Sequence, residues 1–263
     1  MRKQSLTSIF LAILVAATPL AAQQSGAALG SMQHAQRTAT YGRLPLTFEA
    51  NRGQSSSQVK FVSRGKGYTA FLTAGGMVLS LRPGAAEATG RPVNPSEIAK
   101  NHGTSGTTTL QFHLVGANKN PIAVGEDPQA GKVNYFLGNN PAQWHTNVPT
   151  FTKVRYKSVY PGIDLIFYGN DQQIEYDFAI APGGDPRRIQ FEIEGASQIA
   201  LDGEGNLVLS TSKGDLHFQT PIVYQESNGQ RAALDGGYVM QDATHIGFQV
   251  AHYDSSKPLV IDP

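Results

Sequence analysis

Ile163-Asp164-Leu165-Ile166-Phe167-Tyr168-Gly169-Asn170-Asp171-Gln172-Gln173-Ile174-Glu175-Tyr176-Asp177-Phe178-Ala179-Ile180 reads as two runs of alternating side chains about a polar, glycine-containing centre. Successive residues of a strand point to opposite faces, so this period of two marks a β-hairpin. Leu165, Phe167, Ile174, Tyr176, Phe178 and Ile180 then form the core face. A two-residue turn at Gly169-Asn170 places Asp164 opposite Glu175, and one at Asn170-Asp171 places it opposite Asp177. In either register carboxylates gather on the other face. The preceding run carries Lys153, Arg155 and Lys157 at alternate positions, so a basic stripe can lie beside the acidic one and relieve its like-charge repulsion.

Outward from this hairpin the same pattern recurs. Val59 to Ser63, Tyr68 to Thr73, Met77 to Leu81, Thr108 to Leu114, Val133 to Leu137 and Thr150 to Tyr156 precede it. Ile189 to Glu194, Leu207 to Thr211, Leu216 to Gln219, Ile222 to Glu226, Tyr238 to Gln241, Ile246 to Val250 and Leu259 to Ile261 follow it. Each has strand length and β-branched or aromatic content. The 28 Gly and 15 Pro supply the turns that so many short elements need. No window shows a helical period with caps. The expected fold is all-β, a large antiparallel β-sandwich over residues 41–263. Its polar stretch at 83–107 is a surface excursion in which only Pro95 to Lys100 could form a helical turn. Leu110-Gln111-Phe112-His113-Leu114-Val115-Gly116-Ala117 resembles Ile189-Gln190-Phe191-Glu192-Ile193-Glu194-Gly195-Ala196. Two related lobes, 41–147 and 148–263, would explain this. So would chance recurrence of alternating strands that end in glycine.

The N-terminus has the three parts of a signal peptide: Arg2 and Lys3, the apolar run Ile9 to Ala17, and small residues ending at Ala22. Residues 1–22 are expected to be a cleaved leader, and 23–40, without apolar periodicity, a flexible lead-in. The apolar run is too short for a permanent span, and no other stretch reaches the ~20 apolar residues one requires. Localisation outside the cytoplasm, with no membrane span after cleavage, is therefore expected. Losing Arg2 and Lys3 leaves 19 basic against 20 acidic residues, a balance that offers nucleic acid no attracting field. The absence of Cys excludes disulfides, thiolate metal sites and Cys nucleophiles.

Several strings invite a chemical reading. Gly65-Lys66-Gly67-Tyr68-Thr69-Ala70 fits a dinucleotide fingerprint, but that motif must open a helix, and this one runs between strands. Asp202, Glu204 and Asn206 alternate oxygen ligands as the start of a calcium loop does, yet Leu207 stands where such a loop needs Gly. A tight turn uses the same residues. Asp164, Glu175 and Asp177 could serve as the acid and base of a glycoside hydrolase or as rungs of an exposed ion-pair ladder. Trp144 could stack on a sugar ring or fill the core. The seven His show no metal-ligand spacing, and no cofactor is expected.

Phe48-Glu49-Ala50-Asn51-Arg52-Gly53-Gln54, Gly131-Lys132-Val133-Asn134-Tyr135-Phe136-Leu137-Gly138-Asn139, Tyr160-Pro161-Gly162-Ile163-Asp164-Leu165 and Glu175-Tyr176-Asp177-Phe178 resemble the β domain that opens bacterial SBBP-repeat proteins. The resemblance implies an exported surface protein whose segment Pro258 to Pro263 leads toward repeats that build a β-propeller, and it lends no catalytic residues. The expected function is a non-catalytic structural or interaction module of the bacterial cell envelope. Its expected partner is a β-propeller domain or a surface polymer or protein. The alternative is a carbohydrate-binding or glycosidase-like domain using Asp164, Glu175 and Asp177, with Trp144 as a stacking platform.

Overall fold

In the computed structural model the described residues are 46–81, 107–170, 173–227 and 229–263. The leader, the lead-in and the helical turn considered at Pro95 to Lys100 lie outside them, as does the 83–107 excursion except Thr107. The described residues belong to one compact unit. Among the described residues eighteen strands run in chain order as β1 (Phe48–Ala50), β2 (Val59–Gly65), β3 (Tyr68–Thr73), β4 (Gly76–Leu81), β5 (Thr108–Leu114), β6 (Ile122–Tyr135), β7 (His145–Tyr160), β8 (Ile163–Asn170) and β9 (Gln173–Ile180). They continue as β10 (Gln190–Glu194), β11 (Gln198–Leu201), β12 (Leu207–Thr211), β13 (Gly214–Phe218), β14 (Ile222–Ser227), β15 (Gln230–Leu234), β16 (Gly236–Met240), β17 (His245–Val250) and β18 (Leu259–Asp262). Among the described residues the only helical elements are two single 3-10 turns, Pro141–Gln143 and Pro186–Arg188.

Fifteen strands join in one antiparallel sheet in the order β15-β14-β18-β9-β8-β7-β1-β2-β3-β4-β5-β10-β17-β16, with β6 against β7. The sixteen-residue β7 explains how so wide a sheet buries one face. Its first half pairs with β1, Phe151 opposite Phe48, and its second half with β8, Val154 opposite Phe167. A strand that changes partners midway carries the chain from one layer to the other. The layers meet where ring centroids of β9 and of β10 and β17 approach: Tyr176 and Phe191 at 5.9 Å, Phe178 and Phe191 at 5.7 Å, Phe178 and Phe248 at 5.8 Å. Edge-to-face and tilted pairs at these separations add to the area they bury. The three-stranded sheet β11-β12-β13 packs Leu207, Leu209 and Phe218 onto the same core, with Phe218 at 5.6 Å from Phe112.

The register of the deciding hairpin differs from both expected ones. Asp164 lies opposite Ala179, Ile166 opposite Asp177 and Tyr168 opposite Glu175. Pairing continues to Asn170 opposite Gln173, so the chain reverses later, between those residues. Gly169 suggested a turn, but it serves packing: a Cβ there would stand 2.3 Å from the Cβ of Leu46, and only glycine permits that approach. The faces follow the expectation, because a shift by an even number of residues, four from the first register and two from the second, preserves them.

The segments 41–147 and 148–263 are interleaved in the sheet, with β1 between β2 and β7 and β5 paired to β10. The two similar strings are neighbours, Phe191 opposite Leu114 and Ile193 opposite Phe112. The topology around them does not repeat: β5 pairs with β4, the strand before it in the chain, whereas β10 does not pair with its predecessor β9. The C-terminal run Leu259 to Ile261 lies inside the sheet, between β14 and β9.

Candidate functional site

The acidic hairpin builds two separate arrangements. Asp164 acts on β7: its Oδ1 accepts from the backbone N–H of Ser158 at 2.8 Å, and its Oδ2 receives Arg155 at 3.3 Å. Ser158 has φ 53 and lies in the register break of β7 between Tyr156 and Tyr160, so Asp164 holds a β-bulge. Arg155 is shared with Glu126 of β6 at 2.7 Å, and Lys153 reaches Asp127 at 3.6 Å. The basic stripe is thus engaged chiefly by β6, whose acidic residues the sequence reading did not use. Only Arg155 also reaches the acidic hairpin.

Asp177 faces the opposite way along the sheet. β18 pairs with β9 so that Ile261 lies opposite Phe178, which brings the next residue, Asp262, to Asp177. The Tyr168 hydroxyl donates to Asp177 at 2.9 Å and lies 3.3 Å from Asp262, while Asn170 donates to Glu175 at 3.1 Å. The Asp177 carboxyl is raised to about 6, first by burial, which the Tyr168 hydrogen bond partly offsets and to which the charges of Asp262 and Glu175 add. Asp177 is therefore protonated in the folded chain at pH values where the unfolded chain, near 3.9, has ionised. Its contribution is fully present below pH ~4 and is lost as pH rises through ~6. Asp177→Asn, which keeps a donor facing Asp262, is expected to leave stability at pH 4 unchanged. At pH 7.5 it should raise it by about 1 kcal/mol after allowing for solvent screening. Urea unfolding at the two pH values checks this, and equal effects at both would contradict it.

The first two quoted motifs converge elsewhere. Glu49 is 7% exposed on β1; it accepts a hydrogen bond from the Tyr135 hydroxyl and forms an ion pair with Arg64 at 3.5 Å, and Arg64 also donates to that hydroxyl at 3.0 Å. Burial, then Glu49, pushes the Tyr135 phenol up to about 12, so the cluster is a neutral phenol between two opposite charges. Asn51 closes the following loop, donating to the carbonyls of Ser56 and Val59 at 2.7 and 2.9 Å and accepting from Gly53 N at 3.0 Å. Gln54 returns to Ala50 O at 2.8 Å. These side chains satisfy backbone groups that a loop would otherwise leave unpaired.

On this scaffold Phe136 and Trp144 meet edge to face, centroids 5.1 Å apart. Asn140 caps the 3-10 turn Pro141–Gln143 by accepting from Ala142 N at 3.0 Å, and the Trp144 indole N–H donates to Gly138 O at 3.2 Å. Phe136 remains 63% exposed and Trp144 37%, so the tryptophan does not fill the core. Asp202 forms a tight turn: its Oδ1 accepts from Glu204 N at 2.8 Å and Asn206 N at 2.9 Å, and its Oδ2 from the Asn206 side chain at 2.9 Å. Asn206 in turn accepts from Thr220 N at 2.9 Å. Among the described residues no group of His, Asp and Glu is arranged to hold a metal ion.

A family model described as a domain of unknown function (DUF7948) matches residues 48–263. No curated protein and no solved structure matches the chain. The chain belongs to the DUF7948 family.

Proposed function

We propose that this member of the DUF7948 family is an exported, non-catalytic interaction module of the bacterial cell envelope, and that it docks against a β-propeller of the SBBP-repeat kind. The observation that carries the reading is the Phe136–Trp144 pair: two large aromatic side chains, exposed yet fixed by a capped turn and an indole hydrogen bond. Rigid exposed aromatics lose little entropy on binding and are the residue types that anchor protein interfaces. The motif similarity to SBBP-repeat proteins supplies the partner, and the leader at 1–22 supplies the compartment. Asp164 is occupied with a bulge and Asp177 with Asp262, which favours a structural use of the acidic hairpin over hydrolysis.

The test is titration of the mature chain with a separately produced SBBP repeat array by calorimetry. Phe136→Ala/Trp144→Ala is expected to weaken binding tenfold or more, about 1.4 kcal/mol, with an unchanged melting temperature. Equal affinity of the parent and the double variant would contradict the proposal.

A further inference from the structure

We propose that the groove between the Pro186–Arg188 turn and the loop after β17 binds a saccharide ring, with Arg187, His252 and Tyr253 as its contacts. The groove has a volume of about 790 Å³ and is open to solvent, within the roughly 300–1,000 Å³ of small-molecule sites. It lies apart from the proposed docking pair in the chain and draws on none of its residues.

Both walls are set by the fold. On one side Asp185 caps the 3-10 turn, accepting from Arg187 N at 3.1 Å. It also grips the Arg187 guanidinium with both carboxylate oxygens, at 2.8 and 3.0 Å. On the other side the loop is pinned to β14 by Gln225, which is 7% exposed: it donates to Asp254 O at 2.8 Å and accepts from Asp254 N at 3.0 Å. Ala251 N bonds Asp235 O at 2.8 Å, and Gly183 N bonds Ser255 O at 2.9 Å, which ties the two walls together. A groove built this way needs little reorganisation on binding.

The lining selects the ligand class. The Nε and Nη2 edge of Arg187 is held by the Asp185 carboxylate, which offsets its charge and makes the site less attractive to a phosphate or sulfate than a lone guanidinium. The paired fork instead presents a donor edge beside an acceptor edge, which is what two neighbouring hydroxyls require. Among the described residues no hydrogen bond engages the Tyr253 hydroxyl, the His252 ring or the Ser255 hydroxyl. The half-buried Tyr253 ring, with Pro186 and Val250 beside it, gives the apolar surface on which the C–H face of a sugar ring rests.

Mature chain labelled for amide NMR can be titrated with maltohexaose, cellohexaose and chitohexaose, and in a separate arm with inorganic phosphate. At least one oligosaccharide is expected to shift amides of residues 184–187 and 250–255 saturably, with a dissociation constant of about 10 μM to 10 mM. Tyr253→Ala and Arg187→Ala should each weaken that binding tenfold or more, and Trp144→Ala should leave it unchanged. The Arg187 side chain is 85% exposed, so its replacement is expected to leave the melting temperature within about 2 °C of the parent, and the variant then reports on binding. The proposal is overturned if none of the three sugars shifts these amides, if phosphate alone does so, or if Arg187→Ala binds as the parent does.

Discussion

Replacing Phe178 with alanine is expected to lower the free energy of unfolding by about 3–5 kcal/mol, the range for truncating a fully enclosed aromatic. Phe178 is 0% exposed on β9, and its ring meets Tyr176 on its own strand at 6.0 Å and, across the core, Phe191 at 5.7 Å and Phe248 at 5.8 Å. The cross-core contacts span positions eight apart in the sheet order for β10 and nine for β17, so a cavity at Phe178 lies on the seam between the layers. Neighbouring strands are held by their backbone ladders and cannot move in to fill it. A loss of this size is a large share of the 5–15 kcal/mol that stabilises an ordinary domain. Urea unfolding of Phe178→Ala measures it, with the exposed Phe136→Ala as a control expected within about 0.5 kcal/mol of the parent. A loss under 1 kcal/mol at Phe178 would mean that the layers do not face each other there.

Gly195→Ala is expected to cost about as much by a different mechanism. Gly195 follows β10 directly with φ +92, and a Cβ at this position would lie 2.0 Å from the carbonyl oxygen of Thr109. That oxygen belongs to β5, where Thr109 pairs with Ser80 of β4, so it cannot retreat without disturbing the ladder. Left-handed strain of about 1–3 kcal/mol and overpacking of similar size combine, giving an expected loss of about 3–5 kcal/mol. Gly203→Ala, with open space around it, should stay within about 0.5 kcal/mol of the parent. Equal melting temperatures for the two variants would contradict the geometry of the β5–β10 seam. The comparison also separates the two similar strings, because Gly116, the counterpart of Gly195, has no atom within 4 Å of a Cβ position.

The alternation of Leu165 and Phe167 and of Tyr176, Phe178 and Ile180 was readable because one face of β8 and β9 is buried and the other is not. Period-two patterns report that asymmetry directly. β6 was not readable over most of its length. Glu126-Asp127-Pro128-Gln129-Ala130-Gly131 has both faces partly or fully exposed, and an edge strand of this kind carries no burial signal. The register of the deciding hairpin was lost to Gly169, whose purpose is the approach of Leu46 from more than 100 residues earlier in the chain. The candidate sites were legible as residue types but not as neighbours. Asp164 and Asp177 share a face, but the sequence gives no sign that Asp262 would reach Asp177 through a strand inserted beside β9. Nor does it show that Glu49 and Tyr135, in separate motifs, would meet. The groove at Arg187 and Tyr253 carried no motif, because its walls come from a turn and a loop far apart in the chain, tied through Gly183 and Ser255.

Trp144 is the only tryptophan in the chain, so its emission reports on the proposed docking surface with no competing signal. Titrating the mature chain with an SBBP repeat array should shift that emission to shorter wavelength as the indole leaves water. The shift should saturate at the concentration where the calorimetric heat saturates. Binding heat with no change in Trp144 emission, or glycoside hydrolysis by the chain that Asp177→Asn abolishes, would contradict the account.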